Sequence, residues 1–232
     1  MLRLILRETN WGILGALFGF LVGFFLKIYL IDIVGLVSWG KYVTAQTFSS
    51  ISETILSLGI PFIIIKFLPD FIEKDLEKAK RISNVFLKFS LIVGSLFVIG
   101  IFFLSDHINN FLYNDIDGLS LILILMCIHV PISMVFGVVI SLYRAKLKIK
   151  EIVLYGNFIS ISLRATLTFI IFYYTNNIIY FILIELITQI SVLAILLYLF
   201  TKNEFSIFVK STLSEVRSDK KMINYGRKMF YN

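Results

Sequence analysis

Four ionisable residues stand deep inside long apolar runs of this 232-residue chain: Lys27, Glu53, Arg164 and Glu185. A charge at the centre of a membrane costs about 2.5–3.5 kcal/mol on insertion scales, so four uncompensated ones would cost on the order of 10 kcal/mol. They cannot face lipid. Helical spacing puts each of them on a stripe of polar or small residues. Gly12, Gly15, Gly19 and Gly23 lead to Lys27; Gln46, Ser49, Ser50, Glu53 and Ser57 form a second stripe. His129, Ser133, Gly137 and Ser141 form a third, Asn157, Ser160, Arg164 and Thr168 a fourth, and Glu185, Thr188 and Gln189 a fifth. Helices with one polar or close-packed face and one greasy face suit a bundle around a hydrated lumen. The chemistry on offer is electrostatic. Lys27 and Arg164 would attract an anionic substrate. Glu53 or Glu185 would bind and release a coupling proton or sodium ion, since movement of a cationic neighbour switches such a carboxylate. Gln46, Ser57, His129, Asn157 and Gln189 would line the lumen between them.

A blander reading fits the same four residues. Folded as hairpins, the first two spans bring Lys27 within a turn of Glu53. The last two bring Arg164 beside Gln189 and within a turn of Glu185. Each hairpin then carries one cation and one anion, which serve as structural ion pairs that lock the bundle. The sequence leaves both readings open. Lys88 lies near a span end and is expected to snorkel. His129 stands between Cys127 and Pro131 with no second ligand at helical spacing, so it reads as a hydrogen-bonded packing residue and no metal is expected. Cys127 is the only cysteine, which excludes a disulfide framework. There is no G-x-S-x-G, H-E-x-x-H or P-loop. No enzyme activity and no cofactor are expected.

The elements that must position these residues follow from composition. The chain is 58% hydrophobic and only 16% charged, with a mean hydropathy of +0.90. Soluble domains run near 25% charged, so a soluble globular enzyme is excluded. Six runs, about 11–31, 43–65, 84–104, 119–143, 152–174 and 178–200, are each long enough to cross a hydrocarbon core of about 30 Å. Backbone groups in lipid must pair internally, so the spans are helices. The fold class is therefore all-α: a polytopic six-helix transmembrane bundle over 1–200. Segment 201–221 reads as a cytoplasmic linker lying on the membrane face, and 222–232 as the truncated start of a seventh helix. Pro61 and Pro131 are expected to kink their spans. Residues 67–83 are expected to form a short charged inner helix opened by Pro69 and Asp70.

The net charge of +7 is mostly an orientation signal. Eighteen of the 22 Lys and Arg fall on one side of this topology, and Lys41 alone falls in the opposite loops. The positive-inside rule makes both termini cytoplasmic in the cell inner membrane. Topology and anionic lipid account for the basic side, so no nucleic-acid partner is implied.

A family likeness rests mainly on about residues 10–85. The Gly-rich first helix ends at Lys27 and is followed by Val34-Gly35-Leu36-Val37-Ser38-Trp39-Gly40-Lys41-Tyr42. The polar second helix ends Ser57-Leu58-Gly59-Ile60-Pro61, then Ile65-Lys66-Phe67-Leu68-Pro69-Asp70, and the inner loop closes with Glu77-Lys78-Ala79-Lys80-Arg81. In this order the motifs resemble Wzx-type oligosaccharide and polysaccharide flippases of the multidrug/oligosaccharidyl-lipid/polysaccharide exporter superfamily. The resemblance implies two such bundles, so the chain is expected to be a fragment, the N-terminal half. It implies translocation of an undecaprenyl-pyrophosphate-linked oligosaccharide for O-antigen, lipopolysaccharide or other surface polysaccharide, by ion-coupled alternating access. Lys27 and Arg164 become candidates for the pyrophosphate or acidic sugars. The implied partners are the lipid-linked oligosaccharide, the bilayer, a C-terminal bundle or second copy, and a polysaccharide polymerase complex. The competing readings are a multidrug or lipid II exporter of the same superfamily, a membrane-embedded glycosyltransferase or polymerase, and a non-transporting scaffold. The outer loops, at most about 105–118, leave little room for a glycosyltransferase.

Overall fold

The computed structural model describes the backbone of residues 2–209 and side chains over 9–209. Expectations for 210–232, including most of the linker and the seventh-helix start, lie outside the described residues. Every regular element among the described residues is helical. They are α1 Leu2–Val34, α2 Leu36–Leu56, α3 Ile60–Lys74, α4 Leu76–Tyr113, α5 Leu119–Cys127, α6 His129–Ala145, α7 Ile149–Glu151, a π-helical stretch Ile152–Ile159, α8 Ser160–Phe172 and α9 Ile178–Asn203. Five helical runs are each long and apolar enough to cross a membrane: Thr9–Val34, Leu76–Tyr113, Leu119–Ala145, Ile149–Phe172 and Ile178–Asn203. The bent pair α2–α3 passes the same test as one broken span. The molecule is a polytopic helical membrane bundle.

Local chemistry moves several boundaries from their expected places. The second span bends by 42° between α2 and α3. The bend sits at Leu58 and Gly59, both with left-handed backbone (φ 48° and 69°). Pro61 is not the cause; it lies in the first turn of α3, where a missing N–H is harmless. No separate helix covers 67–83. Instead α3 continues through Pro69 to Lys74, and α4 starts at Leu76. Asp75, not Asp70, caps α4 by accepting a hydrogen bond from the Lys78 amide at 3.0 Å. The α4 rod has 38 residues, about 57 Å at the α-helical rise. It therefore overshoots the hydrocarbon layer. At the fourth span the α-helix is interrupted at Ile128, three residues before Pro131.

Two apolar cores hold the bundle, one toward each end. At the basic end Ile60, Ile64 and Leu68 of α3, Ile82 and Phe86 of α4, Val138 and Leu142 of α6, and Leu196 and Phe200 of α9 pack together. At the other end Leu26 and Leu30 of α1, Tyr42 and Ala45 of α2, Leu119 and Leu123 of α5, Phe172 of α8, and Phe181 and Ile182 of α9 form the second core. After α9 the chain turns back on the basic end. Phe205 and Ile207 are buried in the first core, and the Asn84 side chain donates to the Ile207 carbonyl at 2.8 Å. Glu204 is clamped between Lys146, at 3.1 Å, and Lys148. Burial alone would raise its carboxyl, but hydrogen bonds from Lys148 and Lys146 and their charges hold it below the usual carboxylate range. At the opposite end Lys41 Nζ donates to the Asp117 carbonyl at 2.5 Å, tying α2 to the α4–α5 connection.

Candidate functional site: a polar cavity between two apolar cores

Each helix that runs between the two cores changes character on the way. On α2 the cavity-lining residues are Gln46, Ser49, Ser50 and Glu53. On α5 and α6 they are Met126, His129, Ser133 and Phe136. The π-helical stretch and α8 supply Gly156, Ser160 and Arg164, and α9 supplies Glu185, Thr188, Gln189 and Val192. These positions recur at intervals of three or four residues, so each helix turns one stripe to the same space. The result is a partly open cavity of about 260 Å³. It lies midway along α9, whose residues 178–184 belong to one core and 192–200 to the other.

Most hydroxyls of α2, Ser50 of the cavity lining included, fold back on their own helix. Thr47, Ser50, Ser52 and Thr54 each donate to the carbonyl four residues earlier, at 2.8–2.9 Å. This satisfies polar groups that lipid could not. Ser49 differs: it is buried and donates across to the Met126 carbonyl at 3.1 Å, joining α2 to α5.

Two hydrogen-bonded sets build the site. In the first, Arg164 Nη1 donates to Glu185 Oε1 at 2.7 Å, and Tyr42 Oη donates to Glu185 Oε2 at 2.8 Å. Both oxygens of that carboxylate are held, from α8 and from α2. In the second, His129 Nδ1 lies 3.1 Å from Gln189 Oε1, and Gln189 Nε2 donates to Ser133 Oγ at 2.7 Å. Ser133 in turn stands in hydrogen-bonding reach of the Glu53 carboxyl. Glu53 makes no ion pair among the described residues. No group of three or more His, Cys, Asp or Glu suited to a metal occurs among them either.

Of the sequence-predicted residues, the cavity brings together Glu53, Arg164, Glu185, Gln46, His129 and Gln189. Lys27, Ser57 and Asn157 are not in its lining. Lys27 is exposed on α1, on the face shared by Phe20, Phe24 and Ile28, and is not paired with Glu53. The cause is the glycine stripe. Gly15 and Gly19 turn toward Val153, Asn157 and Ile161, and a Cβ on Gly15 would meet Asn157 Nδ2 and Val153 Cγ1 at 2.7 Å. Close packing on that side rolls Lys27 away from α2. Asn157 is thereby a packing neighbour of α1. Ser57 donates to the Thr54 carbonyl at the α2–α3 bend. Sequence reading missed Tyr42 as a partner of Glu185. Its place one helical turn before Gln46 was the available signal, but only the packing of α2 on α9 identifies its acceptor.

No curated protein and no solved structure matches the chain. A family model described as a polysaccharide biosynthesis protein matches residues 5–231, and the chain belongs to that family, the family of Wzx-type flippases and exporters.

Proposed function

We propose that this bundle is part of a transporter that moves a lipid-linked oligosaccharide, carried on undecaprenyl pyrophosphate, across the inner membrane for surface polysaccharide or O-antigen synthesis. The observation that carries the reading is a charged, hydrogen-bonded cavity at mid-depth in a lipid-exposed bundle of this family. Such a cavity is costly in a membrane protein, and polar residues there mark substrate or ion pathways. Transport proceeds by alternating access, with this bundle rocking against a second bundle or a second copy. The end of the bundle that carries most of the Lys and Arg faces the cytoplasm, as do both termini.

The two carboxylates have different roles. Glu185 is held by Arg164 and Tyr42 and fixes the geometry of α8 and α9 against α2. Glu53 has only a hydroxyl beside it and is the coupling carboxylate that takes a proton or monovalent cation. Arg164 is the cavity cation, its guanidinium shared between Glu185 and a passing anionic group. Lys27, on the exposed face of α1, meets pyrophosphate or acidic sugar on the side where the second bundle closes.

A Glu53→Gln variant, expressed in the producing cell in place of the wild type, is expected to reduce surface polysaccharide at least tenfold. Membrane levels of the protein should stay unchanged, since Gln keeps the hydrogen bond to Ser133. Wild-type polymer with Glu53→Gln would remove the coupling role. Loss of a different exported compound with polymer intact would instead favour a multidrug or lipid II exporter.

A further inference from the structure

Among the described residues, three buried side-chain polar atoms have no hydrogen-bond partner: His129 Nε2, Arg164 Nε and Thr188 Oγ1. All three belong to residues of the same cavity wall. His129 and Thr188 are 8% and 2% exposed, so bulk water does not satisfy them. A buried polar group left unpaired costs about 1–3 kcal/mol, which makes this wall a place where something binds.

Charge decides what. The ionisable lining residues are Glu53, Glu185, Arg164 and His129. With the imidazole neutral the wall carries one net negative charge, because Arg164 and Glu185 offset each other. Beside Glu53, whose charge no cation offsets, a positive occupant is favoured.

The direction of the hydrogen bonds decides where it binds. The amide oxygen of Gln189 faces His129 Nδ1, and an amide oxygen only accepts, so Nδ1 carries the hydrogen. In the neutral ring Nε2 then holds the lone pair. Gln189 Nε2 spends a hydrogen on Ser133, which leaves the serine its own hydrogen for Glu53. Two donations in series therefore run from His129 to Ser133, which stands beside Glu53, the cavity carboxylate with no cationic partner among the described residues.

We propose that His129 is a second proton-binding group of the cavity, accepting a proton at Nε2 and acting as one unit with Glu53 through Gln189 and Ser133. The inference rests on the ion-coupled reading above and names its ligand as the proton. The ionisable groups that share the cavity wall with the ring are Glu53 on α2, Arg164 on α8 and Glu185 on α9, and α3 brings none. The α4 helix packs against α6 but brings no charged side chain to the cavity wall. Among these, Glu53 is the charge with no ion-pair partner among the described residues.

The chain has two histidines, so a His107→Gln background leaves His129 alone. The protein, labelled with nitrogen-15 histidine and reconstituted in bilayers, reports tautomer and protonation by its ring-nitrogen shifts. The expected result, across a pH series from about 8 to about 5, is a neutral ring with hydrogen on Nδ1 that gains a second proton at Nε2 as the pH falls. Glu53→Gln should displace the midpoint by about one pH unit, a tenfold change in proton affinity. Gln189→Leu should lose the tautomer preference. A neutral ring with hydrogen on Nε2, no titration in this range, a midpoint indifferent to Glu53→Gln, or a ring responding to sodium rather than pH would each overturn the proposal. Because the readout does not involve transport, it fails or stands separately from the substrate assignment.

Discussion

Arg164 and Glu185 show what a charge pair does at mid-membrane depth. Each is costly alone in lipid, and together Arg164 and Tyr42 hold both oxygens of the Glu185 carboxylate. Removing one partner strands the other. Arg164→Met leaves a carboxylate whose side chain is only 11% exposed, and should destabilise the bundle by about 3 kcal/mol. That is the low end for a buried pair, because the Arg164 side chain is 31% exposed. Arg164→Met combined with Glu185→Gln should recover at least half of the loss, measured as the melting temperature of the detergent-solubilised protein. A double variant no more stable than the single one would show that the two residues do not act as a pair. The residue scale is also where the sequence was most informative and most incomplete. Polar stripes identified Glu53, Arg164, Glu185, His129 and Gln189 as a set, because charges in apolar runs are rare and expensive. The stripes said nothing about which cation meets which anion. Lys27 and Glu53 matched in depth along a hairpin, yet depth is one coordinate and the rotation of α1 is another.

That rotation belongs to the scale of elements. Glycines on α1 and α4 set how closely neighbouring helices approach. Gly94 of α4 seats Pro131; an added Cβ would stand 2.5 Å from the Pro131 Cα. Thus α4 stays out of the cavity wall but holds the Ile128–Pro131 region from behind, and with it His129. The Gly15 contact does the same for α1 against the π-helical stretch, from which Gly156, Ser160 and Arg164 follow at four-residue steps. Gly94→Val and Gly15→Val should each cost about 1–3 kcal/mol by overpacking, seen as lowered melting temperatures. Gly12→Ala, where nothing lies within 4 Å, should be neutral or slightly stabilising. Equal behaviour of all three would mean that the close approaches do not govern packing. The glycine spacing of α1 was legible as a close-contact stripe. Its target was not, since no rule of spacing says which helix a small face meets. The bend of the second span was legible too, but attributed to Pro61; the residue that absorbs it is Gly59, because only the turn geometry reveals a positive φ.

At the scale of the whole molecule, exposure and charge point the same way. Phe20, Phe25, Phe102, Phe103 and Phe111 are all more than half exposed, an outer surface that water would reject and acyl chains accept. Most of the described Lys and Arg residues gather at one end, with Lys41 at the other. Lys150 lies over the Trp11 ring at 5.5 Å, joining α1 to α7 there. Single cysteines at Asn110 and Lys148, in a Cys127→Ala background, should report opposite sides. An impermeant thiol reagent added to intact cells should label position 110 and spare position 148; the reverse pattern would invert the orientation.

The amino-acid sequence by itself determined the class of this molecule. Long apolar runs in a bilayer have only the helix as a way to pair their backbone, and a lopsided distribution of Lys and Arg has only a few topologies that accommodate it. Those constraints are local, additive and one-dimensional, so they survive without coordinates. Family membership belongs here as well, since it rests on the order of motifs along the chain. Only the tertiary structure decided which polar residues share a wall, that Glu185 is held by Arg164 and Tyr42, that Glu53 has no cation beside it, and that His129 connects to it through Gln189 and Ser133. Those facts depend on the rotation of each helix about its axis. Rotation is set by close packing at Gly15 and Gly94 and by the breaks at Gly59 and Ile128, whose effect on distant side chains no periodicity encodes.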